Sequence, residues 1–358
     1  MSERLAAGDL DQLDDVDRLD DLDRLDDVDP ENEFTLLEDT AGDAGLDWHG
    51  PPLVGRRWFN PTTGGHLSAV LWGPGPPQVV FVHDAGRSAR QWDAVILALG
   101  LPAASLDLPG HGRSNWRRDG RYEPTRLAAA VGEAIASFAP RARLVVGSGL
   151  GGLTALVVAA RRPELVRRLV LLDTLPGAGR ARRRAVGDAP ASRTDAVRQL
   201  ASTFPPDAQG LPGAGSPSGV QGRSAAGGLR GAEGFLRREV LFGTVGEPDG
   251  SWAWRHDPAV AAASYDPSPL WDHLAGAAPT VVHGAGWLSS DDLDVLARRA
   301  PRARIVAGDG SGSGSDLETQ QPVALAGHLL DVLAAAQTST APAGTDATTP
   351  TNGQGART

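Results

Sequence analysis

Residues 143–173 read RLVVGSGLGGLTALVVAARRPELVRRLVLLD, and the reading of this stretch decides the fold. A short apolar run, Leu144–Val146, stops at a cluster of glycines: Gly147, Gly149, Gly151 and Gly152. Glycines in such a cluster allow a tight turn and a close approach of neighbouring backbone. A helical stretch, Leu150–Arg162, comes next, and a second apolar run closes the segment at Val166–Asp173. Strand, glycine turn, helix and strand in that order build a parallel pair with a helix across one face.

The same alternation extends both ways along the chain. Strands are expected at His66–Trp72, Val79–His83, Ala103–Asp107, Arg143–Gly147, Thr280–His283 and Ala303–Val306, besides Val166–Asp173. Helices are expected at Ala89–Leu99, Pro124–Phe138, Ser290–Arg299 and Pro322–Ala335, besides Leu150–Arg162. The fold class is therefore α/β: a mostly parallel sheet with helices on both faces. From 176 to 268 the alternation lapses, and an inserted cap between two sheet strands accounts for it. The chain thus divides into an acidic tail (1–45), a first core segment (46–175), the cap (176–268), a second core segment (269–336) and a C-terminal tail (337–358). Within the cap, Phe204–Gly231 is rich in Gly, Pro and Ser and reads as a flexible loop.

Charge is distributed unevenly. Of the 44 Asp and Glu residues, 17 fall in residues 1–45 against three arginines, so the rest of the chain carries a small net positive charge. A near-neutral body offers no obvious surface for nucleic acid or for a charged membrane. In the tail, Leu10–Asp29 (LDQLDDVDRLDDLDRLDDVD) places an apolar residue every third position, which wraps a helix rather than striping one side. With aspartate a poor helix former, a disordered tail is expected; a helix induced by a basic protein partner is the sharper alternative. The Thr-, Ala-, Pro- and Gly-rich stretch from Gln337 to Thr358 is also expected to be disordered. The chain holds no cysteine, which excludes disulfides, thiolate metal sites and cysteine nucleophiles. No apolar run reaches the roughly 18 residues of a membrane span, and the acidic start resembles no secretory signal, so a cytoplasmic location is expected.

Three pieces in order, VVFVHDAG (79–86), SLDLPGHGRSNW (105–116) and the 143–173 stretch, resemble the α/β-hydrolase superfamily of capped small-molecule hydrolases. SWAWRHDP (251–258) is similar to the return from cap to core in such proteins. The resemblance covers roughly residues 50–336. It implies ester, epoxide, lactone or carbon–carbon hydrolysis by a nucleophile on a strand-to-helix elbow, G-x-S-x-G. Gly147, Ser148, Gly149, Leu150 and Gly151 fill the five places, so the nucleophile position holds Gly149. Shifting the frame to make Ser148 the nucleophile loses both small flanking residues, and Ser148 is expected to face away from the pocket.

The superfamily's general base is a histidine after the last strand. The matching stretch, VAGDGSGSGSDLETQQP (306–322), has none: counting forward gives Ser313 and counting back from Pro322 gives Ser315. His83 and His111 match loop-shaping positions, while His256, His273, His283 and His328 lie in the cap return, a linker helix, a strand end and the last helix. The usual place for the triad acid, after the seventh strand, holds Trp287; Asp173 fits the alternative place after the sixth. The oxyanion hole is expected from the backbone N–H groups of Ala85 and Leu150. Asp84 stands where glycine is usual, and at about 5 Å its charge would oppose a developing oxyanion by about 3 kcal/mol.

These readings imply a degenerate hydrolase that binds a small apolar molecule in a pocket including His83, Asp84 and Trp287. Trp252, Trp254 and Trp271 are further expected pocket residues. One alternative is an enzyme with a rearranged site, using Ser148, a water, or Asp84 and Asp173 as paired carboxylates. Another is a protein-interaction module acting through its acidic tail. No cofactor and no metal are implied.

Overall fold

Apolar runs too short for helices pair into the centre of a sheet, and the middle strands are buried along their whole length. The computed structural model describes residues 33–182, 188–202, 225–284, 286–308 and 317–335. Its main sheet has eight strands in the order β1-β2-β4-β3-β5-β6-β11-β12. They are β1 Val54–Phe59, β2 Leu67–Trp72, β3 Val79–Val82, β4 Ala103–Leu106, β5 Leu144–Ser148, β6 Leu169–Leu172, β11 Thr280–His283 and β12 Arg304–Ala307. β1 and β2 pair antiparallel, β2 runs antiparallel to β4, and the rest of the sheet is parallel.

The helices cover both faces. α3 (Pro124–Phe138), α4 (Gly149–Arg161), α8 (Ser268–Ala277) and α9 (Ser290–Arg299) share one core through Leu127, Ile135, Leu153, Leu156, Leu274 and Leu296. On the other face α2 (Asp93–Leu99) and α11 (Pro322–Ala334) pack Ile96, Leu325 and Leu329 against the sheet, with Trp92 from the 3₁₀ turn Ala89–Trp92. Between β6 and β11 lie the small hairpin β7 (Thr174–Leu175) and β8 (Ala178–Gly179), a 3₁₀ turn (Arg180–Arg182), α5 (Arg193–Ala201) and α6 (Ala225–Gly243). A second hairpin, β9 (Thr244–Gly246) and β10 (Trp252–Trp254), and the short helix α7 (Ala259–Ala262) complete this insertion. α10 (Leu317–Gln320) precedes α11.

Three features differ from the sequence expectations. β1 was not expected: VGRRWF has no clean two-residue alternation, because this edge strand is only half-buried. The helix α1 (Leu37–Asp43) lies inside the stretch assigned to the acidic tail, with Glu38 and Asp39 exposed while Leu37, Thr40 and Ala41 are buried. The helix α6 starts at Ala225, within the stretch read as a loop up to Gly231. The repeat at 10–29, most of that loop and the C-terminal tail lie outside the described residues. Among the described residues, no helix is long and apolar enough to cross a membrane.

Candidate functional site

β3 and β5 are neighbours, with Val82 opposite Gly147. Their carboxyl ends therefore bring Asp84 and the glycine turn together, at the edge where open α/β sheets bind ligands. Gly149 begins α4 with φ +46°, a left-handed conformation that suits glycine. The flanking glycines are required by contact. A Cβ on Gly147 would lie 2.6 Å from Gly152 Cα, and one on Gly151 would lie 2.2 Å from the His83 carbonyl oxygen. The tip of the elbow is thus Gly149, with no side chain.

Ser148 is the last residue of β5, with extended backbone and complete burial. Its Oγ accepts from Gln91 Nε2 at 3.0 Å, and the same amide donates to Glu318 Oε1 at 2.9 Å. No histidine bonds to this hydroxyl.

Asp84 occupies the position that matters most. Its buried Oδ1 accepts from the N–H of Ala85 at 2.7 Å and from the N–H of Leu150 at 3.1 Å. These are the two donors expected to hold an oxyanion. A Cβ on Gly149 would stand 1.6 Å from Asp84 Oδ1 and 2.2 Å from its Cγ. The carboxylate therefore fills the hole and the space of a nucleophile's Cβ. The expectation that Asp84 merely repels charge from beside the hole is corrected: it sits in it.

Arg180, which sequence reasoning passed over, is the cation of the site. It is fully buried and forks onto Glu318, with Nη2 donating to Oε2 at 2.8 Å and Nη1 donating to Oε1. Its Nε lies 3.4 Å from Asp173 Oδ2, and the guanidinium stacks on Trp287 at 4.8 Å from the ring centre. Burial acts to lower its pKa, but Glu318, Asp173 and Asp84 together hold it above its ordinary value. Asp173 has φ +48°, and its Oδ1 accepts from the N–H of Gly284 at 2.7 Å. Burial pushes its carboxyl up to about 7, with Arg180 acting in the opposite direction. Three acidic side chains thus act on one buried guanidinium. Glu318 lay within the stretch searched for a histidine and was missed for that reason. Ser313 and Ser315 lie outside the described residues.

Asp173 gives the first test. In the unfolded chain it ionises near 3.8, in the folded chain at about 7. Between these values the folded state holds a proton that the unfolded state has released. The contribution of this group to stability therefore falls as pH rises from about 4 to about 7, by up to about 1.4 kcal/mol per pH unit. Urea unfolding across this window should show wild type losing stability relative to Asp173→Asn; parallel curves would contradict the assignment.

His83 and His111 are buried and bond backbone groups. His83 Nδ1 donates to the Asp84 carbonyl at 2.7 Å while Nε2 accepts from the N–H of Leu108 at 2.9 Å, so the ring is neutral, and burial lowers its pKa. His111 is buried and bonds the Pro109 carbonyl through Nδ1; burial, then His83 and His256, hold its pKa well down. His256 stacks on Trp254, while His273 and His283 lie on α8 and at the end of β11, and His328 on α11.

Over the hole, between core and insertion, lies a cavity of about 310 Å³. Ala85 and Leu150 form its floor, and Tyr122, Val260, Ala263 and Tyr265 line it further. The expected pocket residues are not in its wall. His83 and Asp84 are buried beneath it, and Trp287 lies against Arg180. Trp252 stacks with Arg193, Trp254 packs against α5 and α6, and Trp271 lies in the core beside α4. Among the described residues no group of acids and histidines is arranged to hold a metal ion.

The comparisons agree with this architecture. The α/β hydrolase fold model matches residues 77–216. The chain is 36% identical over 302 residues to esterase Rv0045c of Mycobacterium tuberculosis (strain ATCC 25618 / H37Rv), covering 82% of this chain and 93% of that protein. A crystal structure of the same M. tuberculosis esterase superposes with a TM-score of 0.65 at 31% identity, over 84% of this chain and 98% of that one. The thioesterase domain from the curacin biosynthetic pathway shares the fold, with a TM-score of 0.60 at 19% identity over 78% of this chain and 99% of that one. A 36% identity that spans 82% of this chain and 93% of that esterase places this chain in the α/β-hydrolase family.

Proposed function

We propose that this protein binds a small apolar molecule between its cap and its core and does not cleave esters by the serine route. One observation carries the reading: the Asp84 carboxylate bonds both oxyanion-hole amides and fills the space beside Gly149. A substrate carbonyl finds those donors occupied, and the elbow tip offers no oxygen to attack it. Loss of a single such donor lowers turnover by about 10²–10³-fold in serine hydrolases. The cavity that remains mixes aliphatic side chains with Tyr122, Tyr265 and Ser264, so it suits a small molecule with an apolar body and a few polar groups. A cytoplasmic location is part of the same proposal.

A second reading, an active esterase, is favoured by the 36% identity to a protein named as an esterase. Its nucleophile would be Ser148, a water, or a carboxylate pair formed by Asp84 and Asp173. A panel of p-nitrophenyl esters of increasing acyl length separates the two. Under the first reading wild type turns over none of the esters above the uncatalysed rate, while apolar metabolites raise the melting temperature. Turnover by wild type would establish the second, and its loss in Ser148→Ala would assign the nucleophile to that serine.

A further inference from the structure

We propose that residues 33–44 form a strap that fastens the cap helix α6 to the core and controls how readily that helix lifts. The proposal stands apart from the ligand-binding reading.

The strap is anchored at both ends by charge. At its start, Glu33 forks over Arg56 of β1, with Nε donating to Oε1 and Nη2 donating to Oε2, both at 2.6 Å. Arg56 continues to Asp107 at 2.5 Å, so this anchor is tied to the carboxyl end of β4. At its end, Asp43 accepts from Arg238 of α6 at 2.6 Å. Between them Leu37 inserts into the core cluster beneath α2, only 1% exposed.

The strap and α6 also meet across a shared cation. The Arg90 guanidinium lies between two aromatic rings, 5.0 Å from the centre of Phe34 in the strap and 4.5 Å from that of Phe242 in α6. Arg90 donates to the Glu33 carbonyl as well. Such a sandwich holds only while strap, core turn and cap helix are all in place. The Asp43 side chain also lies close on α6: a Cβ on Gly234 would stand 2.1 Å from Asp43 Oδ2. On the neighbouring face α6 is held by Arg87, which bonds Glu239 at 3.1 Å and covers the Phe235 ring. Arg87 precedes, and Arg90 lies within, the turn that carries Gln91, the partner of Ser148 and Glu318. Release of the strap therefore frees one side of α6 and loosens the turn beneath the buried ion cluster.

Hydrogen exchange on the full-length chain tests this. Glu33→Gln with Asp43→Asn should speed amide exchange in residues 234–243 at least tenfold and leave β3 and β5 unchanged. Gly234→Ala, whose Cβ presses on the Asp43 carboxylate and wedges the strap away from α6 while both acidic groups are kept, should do the same to a smaller degree. Should the double variant not fold, Asp43→Asn alone and Gly234→Ala carry the same readout. Unchanged exchange in α6, or acceleration of the same size in β3 and β5, would overturn the proposal.

Discussion

Gly149→Ser alone should destabilise the protein and bring no gain in esterase activity. A serine at the elbow must adopt φ near the observed +46°, which costs an L-residue about 1–2 kcal/mol. Its Cβ must also displace Asp84 Oδ1 from 1.6 Å away. Moving that carboxylate breaks its bonds to Ala85 and Leu150, each of the charged kind that contributes about 1.5–3 kcal/mol. A loss of about 3–5 kcal/mol is therefore expected in chemical denaturation. Asp84→Gly in the same chain should return part of it, because the two positions compete for one space. A coupling of about 2 kcal/mol in the double-mutant cycle is the expected signature, and strict additivity would contradict it. Replacement of the elbow glycine and of Ser313 alone would meet the same obstacle. Any reconstructed triad needs Asp84 removed first.

Arg180→Met should destabilise the fold by about 3–5 kcal/mol, because it leaves buried carboxylates without their cation. Asp173 and Glu318 bond or face this guanidinium directly, and Asp84 raises its pKa. The loss should be greater at pH 8 than at pH 5, since a protonated Asp173 needs no counter-charge. Arg180→Lys should fall between, keeping the charge but losing the fork onto Glu318. Urea midpoints at the two pH values test the order. Equal losses at both would mean that packing against Trp287 dominates.

How much of this was legible in the sequence depends on how local each feature is. Strand, glycine turn and helix are set by neighbours in the chain, so Pro124–Phe138 and Ser290–Arg299 were read with their observed bounds. Gly149 was legible as the elbow tip because Gly147 and Gly151 fix the frame within five residues. The position of the Asp84 carboxylate was not, because its partner Leu150 is 66 residues away and the direction of a side chain at a strand end is a tertiary property. Arg180 and Glu318 are 138 residues apart, and nothing in either neighbourhood marks them as a pair. α1 was hidden by composition: its acids continue the charge of the tail, while its buried face is only Leu37, Thr40 and Ala41.

Treatment of wild type with a fluorophosphonate reagent, followed by intact mass and peptide mapping, examines the elbow most directly. With a hydrogen at the tip, Asp84 on both amides and Ser148 turned toward Gln91, the full-length chain should keep its unmodified mass. An adduct on Ser148 would contradict the account, because it would require an activated hydroxyl facing the cavity.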